Sequence, residues 1–474
     1  MSAPVIWIIT PLVFSVILLV LPSKRWITYL GTLFALFLAG LAFWLPPESA
    51  QRLGPLSLRI DSTLAVFGRQ ISLTAADQVI LVIVYGMAAF WFFGTLITDG
   101  SRRIVSLGLT VIALLVASLA VHPFLYAALF IEMAVLLSIP LLAEPTQKPG
   151  RGLMHFLIYQ TLAMPFILFS GFLLSGVEAG PADMALITQA AILLGLGFAF
   201  LFSIFPLYTW IPLLMEESKP YAVGFILTVF PTFSLVFGLS FIDSYSWLRD
   251  SAGLTAALRL AGLLMAVSAG VWAAFQRHFG RIFAYAAVAE TGISLLALSL
   301  PDFQAGLQIL FYLLIPRALA FAVWTMSITI LKNQVPDLKF SSAQGLARRF
   351  PVVASGLVLS NLALVGMPLF GSFPVRQALW EKLAVQSLPA ALWFGLASLG
   401  LWIGALRSMA VLTMPPPIPP ETVPAATPWK SNETWQQRFL IGIGLLALFV
   451  LGLFPQWAQP FLANLPLMFI HLGK

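Results

Sequence analysis

Apolar residues in this chain run in blocks of roughly 18 to 25, parted by short polar or Pro/Gly segments, the length a helix needs to cross about 30 Å of hydrocarbon. The blocks lack the strict apolar/polar alternation of membrane-barrel strands. They predict helices over 4–22, 26–46, 76–98, 104–121, 123–143, 153–176, 185–211, 220–242, 253–275, 281–300, 303–331, 351–372, 384–413 and 437–456. The expected fold is therefore an all-α polytopic membrane protein with about fourteen transmembrane helices. The first block, Val5 to Pro22, has neither a basic run before it nor a small-residue cleavage site after it, so it reads as a retained helix. The stretch from Trp457 onward is cut by Pro460 and Pro466 and reads as an interfacial tail. Two connections are long. Pro47 to Ala75 is amphipathic in places and is expected to fold over the outer surface, and Met414 to Trp429 carries Pro415, Pro416, Pro417, Pro419, Pro420, Pro424 and Pro428, an extended linker.

Composition sets the solvent. With 60% hydrophobic and 9% charged residues over 474 positions, too little charge is present to cover a water-soluble globule, so lipid surrounds most of the chain. The net charge of +7 does not gather into a basic patch with interleaved aromatics, which argues against nucleic acid. It falls in loops. One alternating set holds Lys24, Arg25, Arg103, Lys148, Arg281 and Arg348 among others, and the opposite set only Arg52, Arg59, Arg69, Arg249, Arg376, Lys382 and Lys474. By the positive-inside rule this bias of about two to one puts both termini on the non-cytoplasmic side. Cysteine is absent, which removes disulfides, thiolate metal sites and a cysteine nucleophile.

Helix interruptions come as a pair. Pro206 followed by Pro212 breaks the seventh helix, and Gly366, Pro368 and Gly371 break the twelfth, at similar places in two five-helix blocks. Unwound segments at matched positions line binding cavities in many transporters, although Pro and Gly are common in membrane helices anyway. Ionisable groups inside predicted spans are costly and face a bundle interior or a water path. Glu132 is mid-span in Phe130-Ile131-Glu132-Met133, either a proton or ion station or a neutral acid hydrogen-bonded to a backbone carbonyl. Glu290 and Arg317 lie on the tenth and eleventh helices, where antiparallel packing would allow an ion pair, functional or structural. Arg376 follows the second break, with Glu381 and Lys382 close behind; the cluster reads either as part of an ion path or as snorkelling interfacial charge. Arg259, Arg407 and His155 sit near helix ends and read as solvated. No phosphate loop, metal-spaced histidines or catalytic constellation appears, so no catalytic, cofactor-binding or metal residue is assigned.

Four stretches resemble the antiporter-like membrane subunits of complex I, which are similar to the large subunits of Mrp-type cation/proton antiporters. Leu56-Ser57-Leu58-Arg59-Ile60-Asp61 resembles the family's lead-in to its third helix, and Phe205-Pro206-Leu207-Tyr208-Thr209-Trp210-Ile211-Pro212 its broken seventh. Gln276, Arg281, Ala284-Tyr285 and Gly292 fit a third motif, and Gly366-Met367-Pro368 through Phe373 and Arg376 a fourth. The resemblance implies a fourteen-helix fold with two inverted five-helix repeats, each carrying half of a proton path. On that plan residues 1–103 hold helices one to three, 104–242 and 253–413 the two repeats, 414–436 the Pro-rich linker and 437–474 the last helix and tail. The family's helix-five glutamate is matched by Glu132, but its lysine positions fall on Leu201 and Phe233, and the histidine after the helix-seven proline on Tyr208. Glu290 and Arg317 stand where the family has histidines, Phe321 replaces a lysine, and Arg376 replaces the helix-twelve lysine.

The resemblance implies an antiporter-like subunit of a complex I-like NADH:quinone oxidoreductase in a bacterial inner membrane, moving or scaffolding the movement of protons. NADH, quinone and iron-sulfur clusters are expected only in partner subunits, and the expected partners are the bilayer, other membrane subunits and H+ or Na+. Leu201 and Phe233 motivate an alternative, a non-conducting structural paralogue. An Mrp-type or hydrogenase-linked antiporter subunit shares the same motifs. Nothing after residue 456 reads as a long lateral helix, which argues against the largest, distal type of such subunit.

Overall fold

A computed structural model of the chain describes residues 2–48, 50–53, 56–66, 68–98, 103–143, 148–177, 184–415 and 431–472. The protein is an all-α polytopic membrane protein: eleven of its described helices are long and apolar enough to cross a bilayer, twelve if Phe340–Arg348 and Pro351–Val365 form one bent span. Val5–Val20 and Ala185–Leu201 are shorter apolar helices. The Pro-rich run, from residue 416 to 430, lies outside the described residues.

The long connection after Trp44 differs from the expected loop. Ala50–Leu53 pairs antiparallel with Leu56–Arg59, and Thr63–Val66 with Arg69–Ser72, which also pairs with Val121–His122. Four-residue strands are too short for alternation to stand out. The second hairpin turns at Gly68, whose φ of 72° favours glycine.

The expected helix over 185–211 is interrupted. Met184–Leu201 ends, the chain passes Ser203 at φ 53°, and Trp210–Glu217 continues after a 3-10 turn, with Trp210 Nε1 donating to Ser203 Oγ at 2.9 Å. The second interruption follows Pro351–Val365. Gly366 caps that helix at φ 89°, Leu369 sits at φ 82°, and Ser372 Oγ donates back to the Ala363 carbonyl, so the two pieces are tied side chain to backbone. The following helix, Ser372–Gln386, replaces the loop expected over 373–383. Its polar residues hid it, and Pro374 is tolerated because it falls in the first turn, where no helical N–H partner is lost. A third irregularity separates Phe303–Tyr312 from Leu314–Lys332. There Pro316 removes an N–H donor one residue before Arg317.

Small residues draw the helices round these breaks together. Gly262 and Gly292 face each other so closely that a Cβ on either would come within 2.8 Å of the other's carbonyl oxygen, which brings Ala252–Phe275 and Phe279–Leu298 backbone to backbone. The tail after Leu453 forms a short helix, Pro455–Leu462, and then folds back. The Asp243 carboxylate accepts the amides of Ile470, His471 and Leu472 at 2.7–3.1 Å, and Gln304 Nε2 donates to the Leu472 carbonyl at 2.7 Å.

Candidate functional site

The second break brings three buried charges together. Glu290, on Phe279–Leu298, is 2% exposed; Arg317, at the start of Leu314–Lys332, 6%; Arg376, on Ser372–Gln386, 5%. Arg376 Nη2 forms the ion pair with Glu290 Oε1. The expected Glu290–Arg317 pair does not form. Arg317 Nη1 instead donates to Ser294 Oγ at 2.7 Å and to the Glu290 backbone carbonyl at 3.4 Å. Arg376 is also no snorkelling charge. It is buried in the break, while Lys382 reaches outward to Asp302 at 3.4 Å and Glu381 accepts from Gln377 at 2.9 Å.

Gly366 makes the pairing sterically possible. A Cβ there would stand 2.7 Å from Arg376 Cδ, and its φ is left-handed besides, so the break's glycine clears the path of the arginine side chain. Arg376 Nε and Nη1 and Arg317 Nη2 find no protein acceptor among the described residues, nor does the Asn361 amide find any partner. Two guanidinium groups, which keep their protons at physiological pH, thus flank one carboxylate, and Glu290 is the only acidic member of the trio.

Glu132 is placed differently. It is half-buried on Ala127–Leu142, accepts from Thr161 Oγ1 at 2.9 Å through Oε1, and leaves Oε2 without a partner among the described residues. Its neighbours Leu129 and Met133 are exposed, so it lies towards the outer face of the subunit rather than at its centre. Leu201, Tyr208, Phe233 and Phe321 are all buried, and the ring of Phe321 packs edge-on to Phe283 at 5.0 Å. No charged group replaces them. Gln160, which sequence reasoning missed, is a buried polar residue beside the first break. Its Nε2 donates to the Leu201 carbonyl at 3.1 Å, and it lines a cavity of about 30 Å³ with Ser203, Pro231 and Thr291. A glutamine in an apolar stretch gives no periodic signal that would have marked it.

The breaks themselves face two ways. Tyr208, Gly371 and Ser372 are buried, whereas Phe205, Pro206 and Pro212's neighbour Thr209 on one side, and Pro368 and Leu369 on the other, divide so that all but Pro212 are exposed. Pro212 is buried, packed in the short Trp210–Glu217 helix with Ile211 and Leu214.

A cluster of charged side chains at helix ends links neighbouring helices. Arg281 Nη2 donates to Glu216 Oε2 at 2.9 Å, Lys332 Nζ to the Ser218 carbonyl at 3.1 Å, and Glu217 Oε2 accepts the Gly152 amide at 2.7 Å. Arg259 and Arg407, expected to be solvated, reach across to the Ser299 and Ala274 carbonyls at the ends of neighbouring helices, as cations do at helix C-termini. His155 is half-buried, with Nδ1 unpartnered among the described residues.

His278 in this cluster caps Phe279–Leu298, its Nδ1 accepting the Arg281 amide at 3.3 Å. Burial holds its pKa below the ordinary 6.5, opposed by Glu216 and assisted by Arg281. The unfolded chain therefore takes up this proton first as pH falls. The stability contributed by neutral His278 is full above about pH 6.5, declines below it and levels off beneath the folded value. Thermal midpoints measured from pH 8 to pH 5 should fall on the acid side, and His278→Asn, which can still cap, should flatten that part of the profile.

Among the described residues no group of three or more His, Asp or Glu side chains could hold a metal ion. A family model described as NADH:quinone oxidoreductase/Mrp antiporter, TM, matches residues 122–400. NADH-quinone oxidoreductase subunit 14 of Thermus thermophilus is 27% identical over 449 residues, covering 91% of this chain and 97% of that protein. The fold is also that of a chain in the Mrp complex from Dietzia sp. (TM-score 0.80, 14% identity, 100% of this chain and 97% of that one). A chain of respiratory complex I from Thermus thermophilus superposes with a TM-score of 0.74 at 20% identity, covering 99% and 100% of the two chains.

Proposed function

The chain belongs to the NADH:quinone oxidoreductase/Mrp antiporter family as an antiporter-like membrane subunit, and from that premise we propose that it serves a complex I-like NADH:quinone oxidoreductase, where Glu290 is the proton-exchanging group of the second half. The observation that carries this reading is the buried trio: a carboxylate held between two permanent cations inside membrane-spanning helices is costly to keep, and such groups mark ion routes. Arg317 and Arg376 supply a fixed positive field and do not relay protons. Glu132, towards the outer face, is the second titratable station, meeting charge on a neighbouring subunit. The helix-break residues Pro206, Pro212, Gly366, Pro368 and Gly371 position these groups.

The same reading takes the chain as fourteen transmembrane helices, counting Val5–Val20, Ala185–Leu201 and Pro351–Val365 as crossings, with two inverted repeats over 104–242 and 253–413. Both termini face the non-cytoplasmic side of a bacterial inner membrane, and NADH, quinone and iron-sulfur clusters reside in partner subunits. Support for partners comes from the exposed outer sides of both breaks, since irregular backbone is not tolerated against lipid tails and needs protein or water over it.

A second reading is favoured by a specific observation. The buried Leu201 and Phe233 leave the first half without basic relay groups, as in a non-conducting structural paralogue. An Mrp-type or hydrogenase-linked antiporter subunit, moving H+ or Na+, shares the same motifs, and sodium-dependent transport in vesicles would identify it. Glu132→Gln separates the first two. In the assembled complex it should lower proton translocation with NADH:quinone turnover retained, whereas unchanged translocation with unchanged assembly would leave Glu132 no transport role.

A further inference from the structure

Between the two halves lies a cavity of about 390 Å³, within the roughly 300–1,000 Å³ of small-ligand pockets. Its walls come from Met184–Leu201, Pro220–Ser244, Ala252–Phe275 and the end of Phe279–Leu298. Leu194, Leu239, Ile242 and Leu298 line it and are all less than 9% exposed, so the slot penetrates between helices instead of following the outer surface. No charged side chain lines it. Glycine and alanine make the space: Gly195 and Ala257 are exposed beside it, which opens it sideways towards the bilayer, and a Cβ on Gly195 would meet nothing within 4 Å.

One end is chemically distinct. The cavity reaches the connection between Pro220–Ser244 and Ala252–Phe275, where the chain leaves one span and enters the next. Trp247 lines that end, and its buried Nε1 has no acceptor among the described residues. A buried indole donor left unpaired is costly, and protein offers it nothing here. Two residues on, Arg249 is half-buried and fixed by Nη1 donating to the Asp243 carbonyl at 3.0 Å. An apolar slot open to lipid, a lone N–H donor at its boundary end and a guanidinium beside it match, in order, an acyl chain, a glycerol ester carbonyl and a phosphate.

From this arrangement we infer that the cavity is a phospholipid site, one acyl chain filling the slot with its ester carbonyl accepting from Trp247 Nε1 and its phosphate near Arg249. The inference rests on the membrane setting and not on the proton route. A lipid here would act as packing between the two halves, completing a wall that the protein leaves open.

The test uses the purified complex reconstituted with a phosphatidylglycerol carrying a mid-chain diazirine, with peptides mapped by mass spectrometry after irradiation. Labelling should concentrate on 191–204 and 254–261. Gly195→Phe should abolish it by filling the slot, and Trp247→Phe should lower it about threefold to tenfold, the worth of roughly one hydrogen bond. Should Gly195→Phe fail to assemble, Gly195→Leu together with Trp247→Phe carries the same test. Labelling spread evenly over the outer helices and indifferent to these variants would overturn the inference, as would displacement of the label by an isoprenoid quinone, which would make the quinone tail the occupant.

Discussion

Arg376→Leu should destabilise the subunit by about 3–5 kcal/mol, the cost of leaving a buried carboxylate without its partner. Glu290 is 2% exposed and cannot recover its lost charge pairing from water. Arg317 is the other buried cation of the trio, and although its Nη1 is committed to Ser294 at 2.7 Å and to the Glu290 backbone, its Nη2 has no acceptor among the described residues and can turn to the carboxylate. Relaxation of that kind would pull the effect towards the lower end of the range. Glu290→Gln combined with Arg376→Leu should regain most of the loss, because the orphaned charge is gone, and the difference from additivity measures the pair. Denaturation midpoints of the four proteins in one detergent check this. A single Arg376→Leu substitution that shifts stability by less than about 0.5 kcal/mol, the surface-substitution range, would mean the pair carries no such load.

The second large effect is expected at Asp243. Its carboxylate gathers three consecutive tail amides, and hydrogen bonds to a charged acceptor contribute about 1.5–3 kcal/mol each. The freed amides of Ile470 and His471 lie near the surface and regain water, so Asp243→Ala should cost roughly 2–4 kcal/mol in tail docking. The consequence is local: hydrogen exchange at 465–472 should accelerate while the Phe279–Leu298 helix keeps its protection. Unaltered exchange over the tail would show that Leu462, Leu465 and Pro466, which are buried, hold it by packing alone.

Much of the fold was legible because membrane helices are selected by length and apolarity, both of which the sequence displays. Predicted and observed helices agree to within a few residues over most of the chain, as at 26–46 against Lys24–Trp44 and 253–275 against Ala252–Phe275. What escaped is what depends on other signals. Ser372–Gln386 is polar enough to read as a loop, and the four-residue strands near Gly68 have no usable period. Glu290, Arg317 and Arg376 were legible singly, since charge inside an apolar run is conspicuous. Their pairing was not. Which arginine meets Glu290 depends on Gly366 clearing the route for Arg376, which is a property of the packed chain. The same holds for Arg259 and Arg407, because the carbonyls they reach lie 40 and 133 residues away in sequence, on neighbouring helices.

The proton-to-electron ratio of the reconstituted complex bearing Glu290→Gln is the most direct measure of the central claim. Glutamine keeps the size and hydrogen-bonding capacity of the side chain but cannot exchange a proton, so assembly should be retained and NADH:quinone turnover should continue. The account predicts a ratio lower than that of the unaltered complex, with Arg376→Lys restoring none of it in the double variant. An unchanged ratio in a fully assembled Glu290→Gln complex would contradict it and leave the subunit as scaffold.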